Sequence, residues 1–195
     1  DSRPKARATR LVPQANAHSM TFTHLGKSIQ KVAVIGSGQI GPDIALFFTK
    51  VLSPFGVKTI VVDVAEAALE KGKAKLEKKV AKGVESAAFT KEQADQMVAG
   101  VAFTSNYDDL KGADLVVEAA TENKELKAKI FAQVEGLVAK DAILVSNSSH
   151  LEPEVIFSSV AEKGRTGVVH YFFPAERNLM VEVVSGKDTA PATAA

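Results

Sequence analysis

Three glycines and one acid carry the first chemical signal in this chain. In Lys31-Val-Ala-Val-Ile-Gly-Ser-Gly-Gln-Ile-Gly41, a G-x-G-x-x-G run follows four apolar residues, Val32 to Ile35, that show no polar alternation. Such a run suits a parallel strand covered on both faces. A glycine triplet alone is weak, because a tight α/β turn that binds nothing reads the same way, so its surroundings must decide. Asp43-Ile-Ala-Leu-Phe-Phe48 offers a helical apolar face, and a second apolar strand, Thr59-Ile-Val-Val62, ends in Asp63, 22 residues past Gly41. That interval is close to the one a dinucleotide fingerprint requires. Gly36 permits the tight turn, Gly38 lets the backbone approach a pyrophosphate, and Gly41 lets the helix pack on the strand. Gln39 and Ile40 complete the loop, whose helix N-terminus offers free N–H groups to phosphate. Asp63 suits ribose hydroxyls and repels a 2′-phosphate. No Arg or Lys follows it before Lys71, which favours NAD over NADP.

A second constellation lies further along, at the carboxyl ends of predicted strands, where open α/β sheets bind their ligands. It comprises Glu118-Ala-Ala-Thr-Glu122-Asn-Lys-Glu-Leu-Lys127, then Ser146-Asn-Ser-Ser149, then His170-Tyr-Phe-Phe-Pro174 with Glu182 twelve residues after the histidine. Together these supply a base, a carboxylate to orient it, a hydroxyl and a cation. Glu182 interrupts the apolar run Val181-Glu-Val-Val184, so if it is buried it requires a partner. His170 could be that partner, and a carboxylate-held imidazole is a suitable base toward an alcohol proton. A half-buried histidine satisfied by backbone groups is the competing reading, and side-chain chemistry alone does not choose between the two.

The elements that must position these groups alternate between strand and helix. The first helix stops at Ser53-Pro54-Phe55-Gly56. After Asp63, Val64 to Val84 reads as one long polar helix. Its lysines at 71, 73, 75, 78, 79 and 82 are interleaved with Glu66, Glu70 and Glu77, which marks a solvated face rather than a nucleic-acid surface. Thr90-Lys-Glu-Gln93 fits a capping box opening a helix through Val98. Strands are expected at Val101–Phe103, Leu115–Val117, Ala142–Val145, Gly167–Phe172 and Met180–Val184, with helices at Glu125–Ala139 and Pro153–Glu162. The pattern predicts an α/β fold: a doubly wound Rossmann-type sheet, mostly parallel, with a helical excursion after the second strand.

Composition narrows the function classes. Twenty-four basic against 23 acidic residues leave a net charge of +1, which points to no nucleic-acid partner. The chain has no cysteine, so it forms no disulfide and has no thiolate metal site or thiol nucleophile. No metal site is expected. No apolar run approaches the length of a membrane span. Residues 1–28, with Arg3, Lys5, Arg7 and Arg10 near the start, are expected to form a flexible basic arm outside the fold. The arm would be a transit-like leader, an appended remnant or a linker from a preceding domain. A cytoplasmic location is expected, or the mitochondrial matrix if the arm is a transit peptide. Residues 189–195 are small and linker-like.

From about Ile29 to Asp188 the chain resembles the NAD-binding domain of the 3-hydroxyacyl-CoA dehydrogenases. The resemblance rests on the glycine fingerprint, the long helical excursion after Asp63, the E-N-x-x-x-K segment, S-N-S-S, H-Y-F-F-P and V-E-V-V, in the family's order and spacing. It implies a domain spanning 29–188 that oxidises 3-hydroxyacyl-CoA to 3-ketoacyl-CoA with NAD, as in fatty-acid β-oxidation. His170 would be the base, Glu182 would orient it, and Ser149 would hold the reacting oxygen. Glu122 and Lys127 would lie beside the nicotinamide and its ribose, with Ser149 also on the cofactor side. The resemblance further implies a helical domain following residues 189–195 that supplies acyl-CoA contacts and a homodimer interface. Two residues depart from the pattern. Phe173 stands where the family usually has asparagine, which puts activity or substrate range in doubt, and His150 replaces a small residue and is expected to face solvent. Two alternatives remain open at this point: a dinucleotide-binding module without turnover, and a hydroxy-acid dehydrogenase that uses Lys127 as base.

Overall fold

The computed structural model describes residues 21–195. Seven strands form one sheet, and all neighbours are parallel except the last pair at one edge. β3 (Lys31–Ile35) is central, between β4 (Lys58–Val62) and β6 (Leu115–Glu118). β5 (Val101–Thr104) lies at one edge. β7 (Ile143–Ser146), β8 (Thr166–Tyr171) and β9 (Val181–Val184) follow β6 toward the other. The chain therefore winds outward from β3 in both directions, and the strand order reverses between β3 and β6. A crevice opens at that switch point beyond the carboxyl ends of the strands.

Both faces of the sheet are covered, which explains why the central strands read as unbroken apolar runs. Alternate side chains serve opposite layers, as a pleated strand dictates. Ala33 and Ile35 join Val116, Leu144 and the fully buried Phe131 of α4 (Lys124–Glu135) on one face. Val34 joins Val61, Val117 and the Ile44–Leu46 segment of α1 (Gly41–Leu52) on the other. α2 (Glu66–Glu85) buries Leu69, Gly72, Leu76 and Val80 and turns most of its lysines to solvent, as its charge pattern predicts. α3 (Lys91–Ala99) opens with the expected capping box: Thr90 Oγ1 accepts the Gln93 N–H at 3.2 Å, and Gln93 Oε1 accepts the Thr90 N–H at 2.9 Å.

The boundaries differ from the sequence reading in several places. Residues 1–20 of the expected basic arm lie outside the described residues. The last part of that arm is not an arm: β1 (Phe22–His24) and β2 (Lys27–Ile29) form an antiparallel hairpin turned at Leu25 and Gly26, both with positive φ. Phe22 and Ile29 pack against the core at Val32, Leu52 and Val57. The helix expected to run to Glu162 is a single turn, α5 (Pro153–Ile156). Beyond it the Ala161 and Glu162 N–H groups donate to the Glu135 carboxylate instead of continuing a helical ladder, while Val160 is buried. The tail is likewise docked rather than a free linker. Thr189 Oγ1 donates to the Thr166 carbonyl and Thr193 Oγ1 to that of Gly164, ahead of and within α6 (Pro191–Ala194). Among the described residues no helix is long and apolar enough to cross a membrane.

Candidate cofactor and active site

The glycine loop links β3 to α1 at the switch point. Gly36 has φ +105°, and a Cβ there would meet the Ala119 carbonyl oxygen at 2.6 Å. A Cβ on Gly41 would meet the Gly36 carbonyl oxygen at 1.9 Å. Both glycines are thus required by the fold itself. Gly38 differs: its Cβ would meet nothing within 4 Å, so nothing in the protein requires a glycine there. A dinucleotide lying against the loop would. No side chain caps the N-terminus of α1; Pro42 has no N–H and that of Asp43 donates to the Ile40 carbonyl at 3.0 Å, which leaves the Gly41 N–H of the first turn for an anion. The fit to a pyrophosphate is therefore good, with Gln39 and Ile40 completing the cradle. Asp63, at the end of β4, accepts the Ser37 N–H at 2.7 Å and the Ala65 N–H at 3.0 Å. It fixes the loop and, with further lone pairs on its two oxygens, still has room for ribose hydroxyls. A cavity of about 690 Å³ adjoins this loop, lined by Ser37, Gly38, Gln39, Lys71, Lys75 and Phe173 among others.

The second constellation gathers at the ends of β6, β7 and β8. His170 pairs in register with Glu182 across the antiparallel β8–β9 ladder. Its Nδ1 is 3.3 Å from Glu182 Oε2, and its Nε2 is 3.2 Å from Ser149 Oγ. The competing reading of His170, a histidine satisfied by backbone alone, does not describe this geometry. The condition that Glu182 be buried is not met: its side chain is 59% exposed, because β9 is an edge strand with all four residues exposed. Asn147, just past β7, ties that strand to β8, its Oδ1 accepting the Tyr171 N–H at 2.8 Å.

Glu122 stands behind Ser149. It accepts the Ser149 N–H at 3.1 Å and the Ser148 hydroxyl. Burial alone would raise its pKa, but the Ser148 hydrogen bond, the Lys127 ammonium and the Ser149 N–H together hold it below the usual carboxylate range. Lys127 departs from the expectation that it lines the cofactor site. Its side chain has no exposed surface, and Nζ is held by Glu118 at 2.8 and 2.9 Å and by Glu122 at 3.2 Å. An Nζ so enclosed cannot reach a substrate proton, and the lysine-base alternative fails on that geometry. Glu118 is the residue that sequence reasoning left without a role. Its signal is akin to that of Glu182: Glu118 closes the apolar run Leu115–Val117 as Glu182 interrupts its own.

The departures from the family pattern are also placed. His150 is 72% exposed, with Nδ1 3.7 Å from Glu122 Oε1, so it faces solvent as expected. Phe173 is 65% exposed, and its ring centroid lies 5.5 Å from Lys75 Nζ and 5.8 Å from Lys79 Nζ. Lys79 in turn bridges Asp43 of α1 at 2.8 Å and Glu176 at 2.7 Å. Burial pulls the Lys79 pKa down, but these two carboxylates outweigh it and hold the ammonium above its ordinary value. A separate apolar cavity of about 480 Å³ sits at the opposite, amino ends of the strands, between the hairpin and α1. It touches none of the candidate site residues. Among the described residues no group of three or more His, Cys, Asp or Glu side chains could hold a metal ion.

A glycine cradle at the strand-order reversal, an acid closing the second long strand and a carboxylate–histidine–hydroxyl row beside them define an NAD-dependent dehydrogenase fold. The comparisons give the particular family. Residues 31–195 match the family model described as 3-hydroxyacyl-CoA dehydrogenase, NAD binding domain. The chain belongs to this family, and its cofactor is NAD. The chain is 32% identical over 163 residues to a 3-hydroxybutyryl-CoA dehydrogenase of Clostridioides difficile, covering 84% of this chain and 57% of that protein. It is 32% identical over 170 residues to the fatty acid oxidation complex subunit alpha of Colwellia psychrerythraea, covering 87% of this chain and 23% of that one. The crystal structure of (S)-3-hydroxybutyryl-CoA dehydrogenase PaaH1 from Ralstonia eutropha superposes with a TM-score of 0.80 at 31% identity, over 86% of this chain and 58% of its own. The chain thus spans little more than half of these dehydrogenases and about a quarter of the larger complex subunit.

Proposed function

We propose that this chain is the cofactor half of an enzyme that oxidises 3-hydroxyacyl-CoA to 3-ketoacyl-CoA. The observation that carries the reading is the row Ser149–His170–Glu182, with contacts of 3.2 and 3.3 Å, at the end of the sheet that also carries the glycine cradle. The relatives named above as 3-hydroxybutyryl-CoA dehydrogenases support the substrate class. Bound NAD supplies the hydride acceptor. The residues of the chain do the rest. Ser149 Oγ holds the 3-hydroxyl oxygen, and neutral His170 removes its proton at Nε2 as the hydride leaves C3. Glu182 accepts the Nδ1–H, fixes that tautomer and stabilises the imidazolium that forms. In the reverse direction the imidazolium returns the proton to the ketone oxygen. Glu122 aligns Ser149 through its backbone N–H.

The exposed apolar side chains of Leu179, Met180, Val181, Val183 and Val184 lie on and just before β9, next to Glu182. In this reading a helical domain of the kind implied by the family, or a second copy of the chain, covers them and completes the acyl-CoA site. A second reading, a dinucleotide-binding module without turnover, is favoured by Phe173, which lines the cavity beside the glycine loop. The two are separated by the His170→Ala variant. The first predicts that turnover is lost while NADH affinity stays within about twofold of wild type. Turnover in the variant comparable to wild type would remove His170 from the mechanism.

A further inference from the structure

Beneath the Ser149 turn lies a buried charge cluster whose composition exceeds what packing requires. Glu118 closes β6 and Lys127 lies on α4, each with no exposed side-chain surface. Glu118 accepts from Lys127 Nζ at 2.8 and 2.9 Å, from Ser146 Oγ at 2.5 Å and from the Ala120 N–H at 2.7 Å. Every one of these neighbours is a donor, and together they meet both carboxyl oxygens of Glu118. One carboxylate would neutralise Lys127. A second, Glu122, approaches the same Nζ at 3.2 Å and is held ionised by the contacts described above. The cluster therefore carries two negative charges and one positive. Burying even a balanced ion pair gains little over apolar packing, so the Glu118–Lys127 pair, with a second carboxylate at its partly exposed rim, calls for another reason.

The reason lies in what sits above it. The Oε1 atom of Glu122 contacts the Ser149 N–H at 3.1 Å, and Ser149 Oγ is 3.2 Å from His170 Nε2. The inference rests on the reading under Proposed function, in which Ser149 and His170 hold the carbon that gives up hydride. Hydride donor and acceptor carbons must approach within about 3–3.5 Å, which brings the nicotinamide ring within about 10 Å of Glu122. That ring is cationic in NAD and neutral in NADH. We propose that the Glu118–Lys127–Glu122 cluster sets the cofactor preference of the site, its net negative charge favouring the oxidised over the reduced dinucleotide. One unit charge at this range, in the effective dielectric of a protein site, changes the relative affinity on the order of tenfold.

The test is the ratio Kd(NAD)/Kd(NADH), measured on the purified chain by NADH fluorescence titration and by competition with NAD. Wild type is compared with Glu118→Gln and Glu122→Gln. The ratio rises about tenfold in each variant, because removing one carboxylate neutralises the cluster. A lost hydrogen bond to the cofactor or a slackened turn weakens both dinucleotides alike and cancels in the ratio. Thermal melts establish that the variants are folded. If Glu118→Gln does not fold, Glu122→Gln, at a site with 28% side-chain exposure, carries the comparison. A ratio within twofold of wild type in a folded variant overturns the inference and leaves the dehydrogenase reading standing. A wild-type chain that binds neither dinucleotide overturns both.

Discussion

Replacing Gly41 and Gly38 by alanine, one at a time, separates a glycine required by the fold from one required by a ligand. At Gly41 the new Cβ would lie 1.9 Å from the Gly36 carbonyl oxygen, where real Cβ atoms essentially never come closer than 3.0 Å. The loop must therefore open by at least 1.1 Å, the gap between those two distances. The obstructing atom is backbone, so no side-chain rotation relieves it. A shift of that size pulls the loop off the N-terminus of α1 and forfeits one or two charge-assisted hydrogen bonds to the pyrophosphate, each worth about 1.5–3 kcal/mol. NADH affinity falls about 10-fold to 100-fold or more, and the melting temperature falls with it. At Gly38 no protein atom lies within 4 Å of the new Cβ, so stability holds. Only the approach of the pyrophosphate is blocked, and NADH affinity falls by a comparable factor. Fluorescence titration and a thermal melt on each variant provide both numbers. Gly38→Ala binding NADH as tightly as wild type would refute the placement of the cofactor against this loop. Gly41→Ala retaining both properties would refute the argument from packing.

Other consequences follow from the same geometry. Glu122, Glu135 and Glu176 are each held below the ordinary carboxylate value of 4.5, hydrogen bonds and cations outweighing the upward pull of burial. A depressed folded-state pKa contributes stability that is fully present above the unfolded value and is lost as pH falls through the folded one. Unfolding free energy measured by denaturant titration is therefore level near neutral pH and declines progressively below about pH 4.5, and a flat profile down to pH 3 would contradict those contacts. Phe131→Ala empties a site with no exposed surface whose ring packs 4.5 Å from that of Phe157, and it costs about 3–5 kcal/mol in the same assay. A loss below 1 kcal/mol would show that α4 is not anchored by that pair.

The parts of the fold legible in the sequence were those whose signals are local. The β3–loop–α1 unit could be read because strand, turn and helix cap each constrain residue type within a few positions, and Asp63 because its spacing is fixed by one helix and one strand. The Thr90 capping box is local in the same way. The hairpin at Phe22–Ile29 escaped because its strands have three residues each and its turn begins with Leu25 rather than the asparagine or aspartate that marks such turns. The end of α5 escaped because it depends on Glu135, some 26 residues away, capturing the Ala161 N–H. In the site, the His170–Glu182 pairing could be read from composition but not its exposure, since whether β9 lies at an edge is a property of the whole sheet. Lys127 was misread for a related reason. A lysine at a helix start normally faces water, and only the tertiary placement of Glu118 and Glu122 explains its burial.

The central claim is that this chain carries the acid–base half of 3-hydroxyacyl-CoA dehydrogenase chemistry. The most direct measurement follows NADH absorbance after acetoacetyl-CoA is added to the purified chain, with His170→Ala alongside. The account predicts oxidation of NADH that falls by about 10²–10⁴ in the variant. A variant that oxidises NADH as fast as wild type would contradict it.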